Sequence, residues 1–188
     1  VMHTLNTLAN IHGLCPIKAT LVSLLHDLSK EIEPSRIRSD LRQRNLDIPK
    51  DDLDYPKVWH GYHASVVARQ EMGITDPDIL EAVALHTTAD ATVCPMTRAI
   101  YVADFCEPGR TVDSANDILG QAKRNLDQGF REALLKKTGY MTNLKKLTLS
   151  PRTHRAVETW LPCNLDPTAK DPIPEGRGLE LPDGGLTS

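Results

Sequence analysis

His26 and Asp27 stand side by side in the stretch LVSLLHDLSK, residues 21–30, where an apolar helical pattern runs into two ionisable side chains. Leu21, Leu24, Leu25 and Leu28 recur at helical spacing and predict a buried stripe with the doublet at its inner end. An unpaired carboxylate in a core loses several kcal/mol or gives up its charge, so Asp27 calls for a cation, and a neutral imidazole is the commonest metal ligand. One reading is therefore a metal-binding His-Asp pair. The plainer reading is a helix that reaches the surface, with Asp27 and Lys30 as an ordinary i,i+3 ion pair and His26 a hydrogen-bonded core residue.

The doublet has company. His3, His60 and His86 each fall at or near the inner face or the end of a different predicted helix, and Asp104 follows Ala103 in an apolar helical segment where a carboxylate is out of place. One such intrusion is unremarkable, because a lone buried histidine is usually a satisfied core residue. Five helices with one intrusion each suggest a shared site inside a bundle. Mixed imidazole and carboxylate ligands suit iron, manganese, zinc or cobalt. Cys15, Cys94, Cys106 and Cys163 are scattered with no C-x-x-C pair, which points to neither a zinc knuckle nor a disulfide framework.

The elements that must position these residues read as helices throughout. The first opens almost at once on His3, an abrupt start that suggests further residues upstream, and carries Leu5, Leu8 and Ile11 or His12 inward before Gly13 ends it. Pro16 opens a second, which carries the doublet near its end, and Pro34 a third, a solvated cover with only Ile37 and Leu41 to bury. A polar loop leads to VWHGYHASVVARQEMG, with Ala64, Val67 and Ala68 inward and Trp59 and Tyr62 as core or pocket wall. Asp76-Pro77-Asp78 is a strong helix start, and that helix ends at His86, followed by Thr87 and Thr88. Cys94-Pro95 starts the helix of Asp104, Ser114 to Asp117 resembles a capping box, and the long amphipathic stretch after it is interrupted near Gly129. Ser150-Pro151 starts the last helix, through Trp160. No run of period-two alternation predicts a strand, so the fold expected is an all-α bundle over residues 1–161, with 162–188 a Pro/Gly-rich, acidic, extended or disordered tail.

Composition narrows the partners. A chain of 188 residues with 40% hydrophobic content can build one domain with a sizeable core. Its 4% aromatic content, net charge of -3 and pI near 6.2 argue against nucleic-acid binding. No apolar run approaches a membrane span and no signal peptide is visible, so a cytoplasmic protein without membrane contact is expected. A homodimer is left open.

The order His3, His26-Asp27, His60, His86, Asp104 resembles the HD-domain phosphohydrolase superfamily in its two-metal form. The segments LLHDLSK, WHGYHASVVA, MGITDPDILEAVALHTT, IYVADFCEPGR and LSPRTHRAVETW are similar, in sequence and order, to the YqeK-type branch, the symmetrical bis(5′-nucleosyl)-tetraphosphatases. The resemblance runs from His3 to about Trp160. The chain departs from it in its shorter first helix, in Ala89 where the family tends to have Gly, and in His63 where a small or aliphatic residue is common.

The resemblance implies an HD-domain helical bundle with two divalent ions, iron first and manganese, zinc or cobalt as alternatives. Asp27 would bridge them, with His3, His26 and Asp104 on one ion and His60 and His86 on the other. It also implies cleavage of diadenosine tetraphosphate to two ADP. Asp27 and Lys30 are then the catalytic candidates, and Lys30, Thr87, Thr88 and Arg110 the candidates for the phosphates. Each has an ordinary reading too: Lys30 and Arg110 as surface ion pairs with Asp27 or Glu33 and with Glu107, the threonines as a helix end. His12 and His154 remain unassigned, and His63 is expected at the surface. Two other functions compete, an HD hydrolase of other nucleotides and a non-catalytic nucleotide-binding module.

Overall fold

Proline fixes φ near the helical value and lacks the amide that a first turn leaves unpaired, so it opens helices well. Five of the helices here begin that way. The computed structural model describes residues 1–107 and 114–161, and these form α1 (Met2–Ile11), α2 (Pro16–Leu25), α3 (Pro34–Gln43), α4 (Trp59–Glu71), α5 (Pro77–Leu85), α6 (Pro95–Phe105), α7 (Ala115–Arg124), α8 (Leu126–Gly139) and α9 (Pro151–Trp160). Short helical turns and loops join them, and no strand occurs among the described residues. The expected start of α5 is realised: the Asp76 carboxylate accepts the amides of Asp78 at 3.0 Å and Ile79 at 3.3 Å. None of these helices is long and apolar enough to cross a membrane.

The main core gathers Leu5, Leu8, Val22, Val83, Ile100 and Phe130 from α1, α2, α5, α6 and α8. A smaller one lies under α3, where Ile37 and Leu41 meet Ile48, Trp59 and Val66. Helices α2, α4 and α5 pack on one another, and α1 packs on α2 and α6. The bundle thus brings the end of α2, the start of α4 and the end of α5 into one neighbourhood.

Several expected inward faces are shifted. Leu24 is 59% exposed and Leu28 44%, whereas Ala19, Val22, Leu25 and Ser29 are buried. A step of one residue turns a helix by about 100°, so a face defined by Ala19, Val22 and Leu25 carries Leu24 outward. α2 stops at Leu25, and the buried face continues into His26 and Ser29 rather than Leu28. On α1, Ala9 is buried in place of Ile11, and on α4 Val66 is more deeply buried than Val67. Ser114 precedes α7 without a capping bond from its side chain.

Gly129 is the clearest correction. The break in the long amphipathic stretch falls at Asn125, whose backbone is extended and whose side chain caps α8, while Gly129 lies inside α8. A Cβ at Gly129 would stand 2.3 Å from the Ala122 Cβ and 2.5 Å from its Cα. The glycine is there because α7 and α8 touch backbone to backbone. Gly129→Ala is therefore expected to cost about 3 kcal/mol, at the upper end for overpacking, and to lower the melting temperature by roughly 10 °C in calorimetry.

Candidate metal centre

Three of the four histidines assigned to the shared site make the same local bond. The Nδ1 of His26 lies 2.9 Å from the Ser23 carbonyl, that of His60 3.0 Å from Lys57 and that of His86 2.8 Å from Val83. A carbonyl can only accept, so in a neutral ring the proton sits on Nδ1 and the Nε2 lone pair faces the other way. All three Nε2 atoms face Asp27. Those of His60 and His86 stand 3.5 Å from Asp27 Oδ1 and 3.3 Å from each other, and that of His26 lies 3.5 Å from Oδ2.

This arrangement fits a cation. Burial holds the His86 imidazole below its ordinary pKa, against the pull of Asp27, so the ring is neutral and its bare Nε2 points at another electron pair and a carboxylate. Burial alone would favour protonating Asp27, but its hydrogen-bonding neighbours, the Lys30 ammonium among them, outweigh it and hold the carboxyl well below the usual range. Ligand atoms of Asp27, His60 and His86 all lie within 4.8 Å of one another. Metal bonds of about 2.1 Å at ordinary coordination angles separate neighbouring donors by roughly 3–3.4 Å, close to the spacing seen here.

Gly61, next to His60, makes the approach possible. A Cβ there would lie 2.9 Å from the Ala84 carbonyl oxygen, 3.0 Å from that of Val83 and 3.3 Å from His86 Nδ1. Helices α4 and α5 therefore close on a residue without a side chain, and the carbonyl that orients His86 is one of the atoms it faces.

The structure gathers His26, Asp27, His60 and His86, at helix ends or in the turn after α2. Asp104 is buried in the last turn of α6 and His3 is exposed on α1, which packs against α6. Neither belongs to the donor group within 4.8 Å. Lys30 is exposed, with its Nζ 2.7 Å from Asp27 Oδ2, so the ion pair of the plainer reading forms at the same carboxylate that faces the histidines. The Thr87 and Thr88 hydroxyls are buried without a hydrogen-bond partner among the described residues. Arg110 lies outside the described residues.

The loop that carries the threonines is held from α9. Arg152 donates to Asp90 and Asp52 at 3.0 Å each, Arg155 donates to Asp90 at 2.9 Å, and the Thr153 hydroxyl donates to the Thr88 carbonyl at 3.0 Å. These supporting residues were not singled out in the sequence. Alternating charge on a helix reads as solvated surface, and only the fold brings Asp52 and Asp90 to it.

The chain has curated relatives. A symmetrical bis(5′-nucleosyl)-tetraphosphatase of Staphylococcus aureus is 30% identical over 141 residues, 74% of this chain and 68% of that protein. The chain belongs to this family. The symmetrical bis(5′-nucleosyl)-tetraphosphatase of Bacillus subtilis is 27% identical over 71% of this chain and 72% of its own length. Among solved structures, a protein of Clostridium acetobutylicum described as a predicted HD superfamily hydrolase involved in NAD metabolism superposes with a TM-score of 0.75 at 26% identity, covering 85% of this chain and 84% of that one. No family model matches the chain. The all-α bundle is thus the HD-domain fold of the symmetrical tetraphosphatases.

Two of the three departures noted above can be placed in the structure. Ala89 is fully buried at φ +55°, a left-handed conformation that costs a non-glycine residue about 1 kcal/mol and that a glycine would adopt freely. His63 corrects the expectation of surface exposure, since it is 4% exposed. Its Nδ1 lies 2.7 Å from Ser29 Oγ and its Nε2 2.9 Å from Asp40 Oδ2. A spacing of one turn from His60 does not reveal that α3 brings a carboxylate over the ring. His63→Val is expected to destabilise by about 2 kcal/mol, because it strands the buried Ser29 hydroxyl. Adding Ser29→Ala should recover roughly half of that, measured by denaturant titration of both variants; equal loss in both would refute the pairing.

Proposed function

We propose that this chain is a metal-dependent phosphohydrolase that splits dinucleoside tetraphosphates at the centre, diadenosine tetraphosphate to two ADP. The observation that carries the reading is the convergence of three imidazole Nε2 atoms on the two oxygens of one carboxylate that stays ionised. Asp27 suits a bridging role, since Oδ1 faces His60 and His86 while Oδ2 faces His26. In this reading His60 and His86 would hold one divalent ion and His26, His3 and Asp104 the other, with iron the first choice. The ions would supply a polarised water and neutralise phosphate charge for in-line attack.

The chain's own residues do the rest. Water adds across the central P–O–P bond: one phosphorus takes the hydroxyl, the bridging oxygen leaves with the other, and the product phosphates share the released proton with solvent. Lys30, already at the carboxylate, is the cation within reach of a phosphate bound there, and the unpaired Thr87 hydroxyl follows His86 directly. We assign the hydrolase unit to residues 1–161. Cys15, Cys94 and Cys106 are free thiols, which fits the reducing cytoplasm.

The test is product analysis. The purified protein, loaded with ferrous iron under reducing conditions, is incubated with diadenosine tetraphosphate and the nucleotides are separated by chromatography. ADP alone is expected. ATP with AMP would refute symmetrical cleavage, and an intact substrate in the presence of stoichiometrically bound metal would refute this substrate.

A further inference from the structure

Helix α3 presents arginines at positions 36, 38 and 42, Arg44 follows its end, and their surroundings differ. Arg44 is engaged by Asp40 and Glu71. Arg38 and Arg42 have no ion-pair partner among the described residues, and the Arg38 Nε is buried without an acceptor. An enclosed N–H left unmatched is costly. The two side chains lie one helical turn apart and line a groove of about 650 Å³ together with Ser35, Ser39, Pro34 and Trp59. Trp59 is held by its indole N–H, 2.6 Å from the Asp52 carbonyl oxygen, and is followed in the chain by His60. The lining of the groove thus includes the chain neighbour of a candidate metal ligand.

A dinucleoside tetraphosphate cut at its middle bond must lie with its two inner phosphates at the metals, which leaves an outer phosphate, a ribose and a base extending on each side. Four phosphates in a row offer three anhydride bonds of similar chemistry, so a site that selects the central one needs a grip beyond the metals to set the register. We propose that the groove between α3 and Trp59 receives one outer half of the substrate, a nucleoside diphosphate unit. Arg38 and Arg42 bind its outer phosphate, and Ser35 and Ser39 face its sugar. The volume is of the order that ligand pockets for such molecules show, and paired guanidinium forks match phosphate oxygens. The proposal rests on the function proposed above and deepens it.

The test uses the whole chain with iron bound. Trp59 and Trp160 are its two tryptophans, so a Trp160→Phe variant leaves Trp59 as sole fluorophore. ADP is titrated into this variant and into the same chain with Arg38→Gln and Arg42→Gln, and KM and kcat for diadenosine tetraphosphate are compared in the natural-tryptophan background. Arg69→Gln, an exposed residue on α4, controls for lost positive charge. Saturable ADP quenching that weakens roughly tenfold to hundredfold in the double variant, with the loss in turnover carried mainly by KM and no change in Arg69→Gln, is the expected result. Unaltered ADP binding and KM in the double variant would overturn the groove while leaving the hydrolase reading standing. Arginine-dependent ADP binding in a protein that leaves diadenosine tetraphosphate intact would support the groove and refute the substrate.

Discussion

Asp27→Ala is expected to abolish metal binding and to reduce turnover of diadenosine tetraphosphate by about 10³-fold or more, since a catalytic divalent metal contributes several kcal/mol to lowering the barrier. Asp27 supplies both oxygens of the cluster, so its removal takes away the anion toward which His26, His60 and His86 point. The fold should survive. Asp27 is only half-buried in the turn after α2 and no core contact depends on its side chain. Elemental analysis of the purified variant, circular dichroism and the product assay separate these effects. A variant that retains stoichiometric metal would refute the assignment of Asp27 as bridge.

Gly61→Ala should be nearly as damaging to the site, by a different route. The new Cβ would press on the Val83 and Ala84 carbonyl oxygens, which are backbone and cannot swing aside, so α4 and α5 must part by several tenths of an ångström. That displaces His86 from His60 and disturbs the Val83 carbonyl that orients the ring. A loss of 10- to 100-fold in metal affinity is expected, the range for disturbed supporting contacts. Stability should fall less, because overpacking of about 1–3 kcal/mol is partly offset by the roughly 1 kcal/mol that Ala gains over Gly in a helix. Metal titration and thermal unfolding of the metal-free protein measure the two separately. Wild-type metal affinity in this variant would mean that the close approach is not what sets the site.

These two residues also show how far the chain alone could be read. Asp27 was legible because a carboxylate beside a histidine at the end of an apolar pattern violates that pattern, and a violation is visible without a structure. His60 and His86 were legible in the same way. Gly61 was not, because a glycine in a helix looks like a small local loss of stability until α5 is seen against it. The helix starts at Pro16, Pro34, Pro77, Pro95 and Pro151 were equally open to reading, since proline and its neighbours act within one turn. Gly129 misled for the converse reason: it is a breaker by propensity and a contact point by packing.

What the amino-acid order determined by itself was the helical class, the histidine and aspartate types of the candidate site and the family resemblance, all carried by local spacing and by residues that break the core pattern. The tertiary structure alone decided that His26, His60 and His86 turn Nε2 toward one carboxylate, that His63 is buried under Asp40, and that Arg152 and Arg155 anchor the loop after His86. It also decided that Leu24 and Leu28 face water. Periodicity states that a helix has a buried face, but which side is buried, and what a side chain meets across the bundle, follows from helix-helix distances that are set only when the whole core packs.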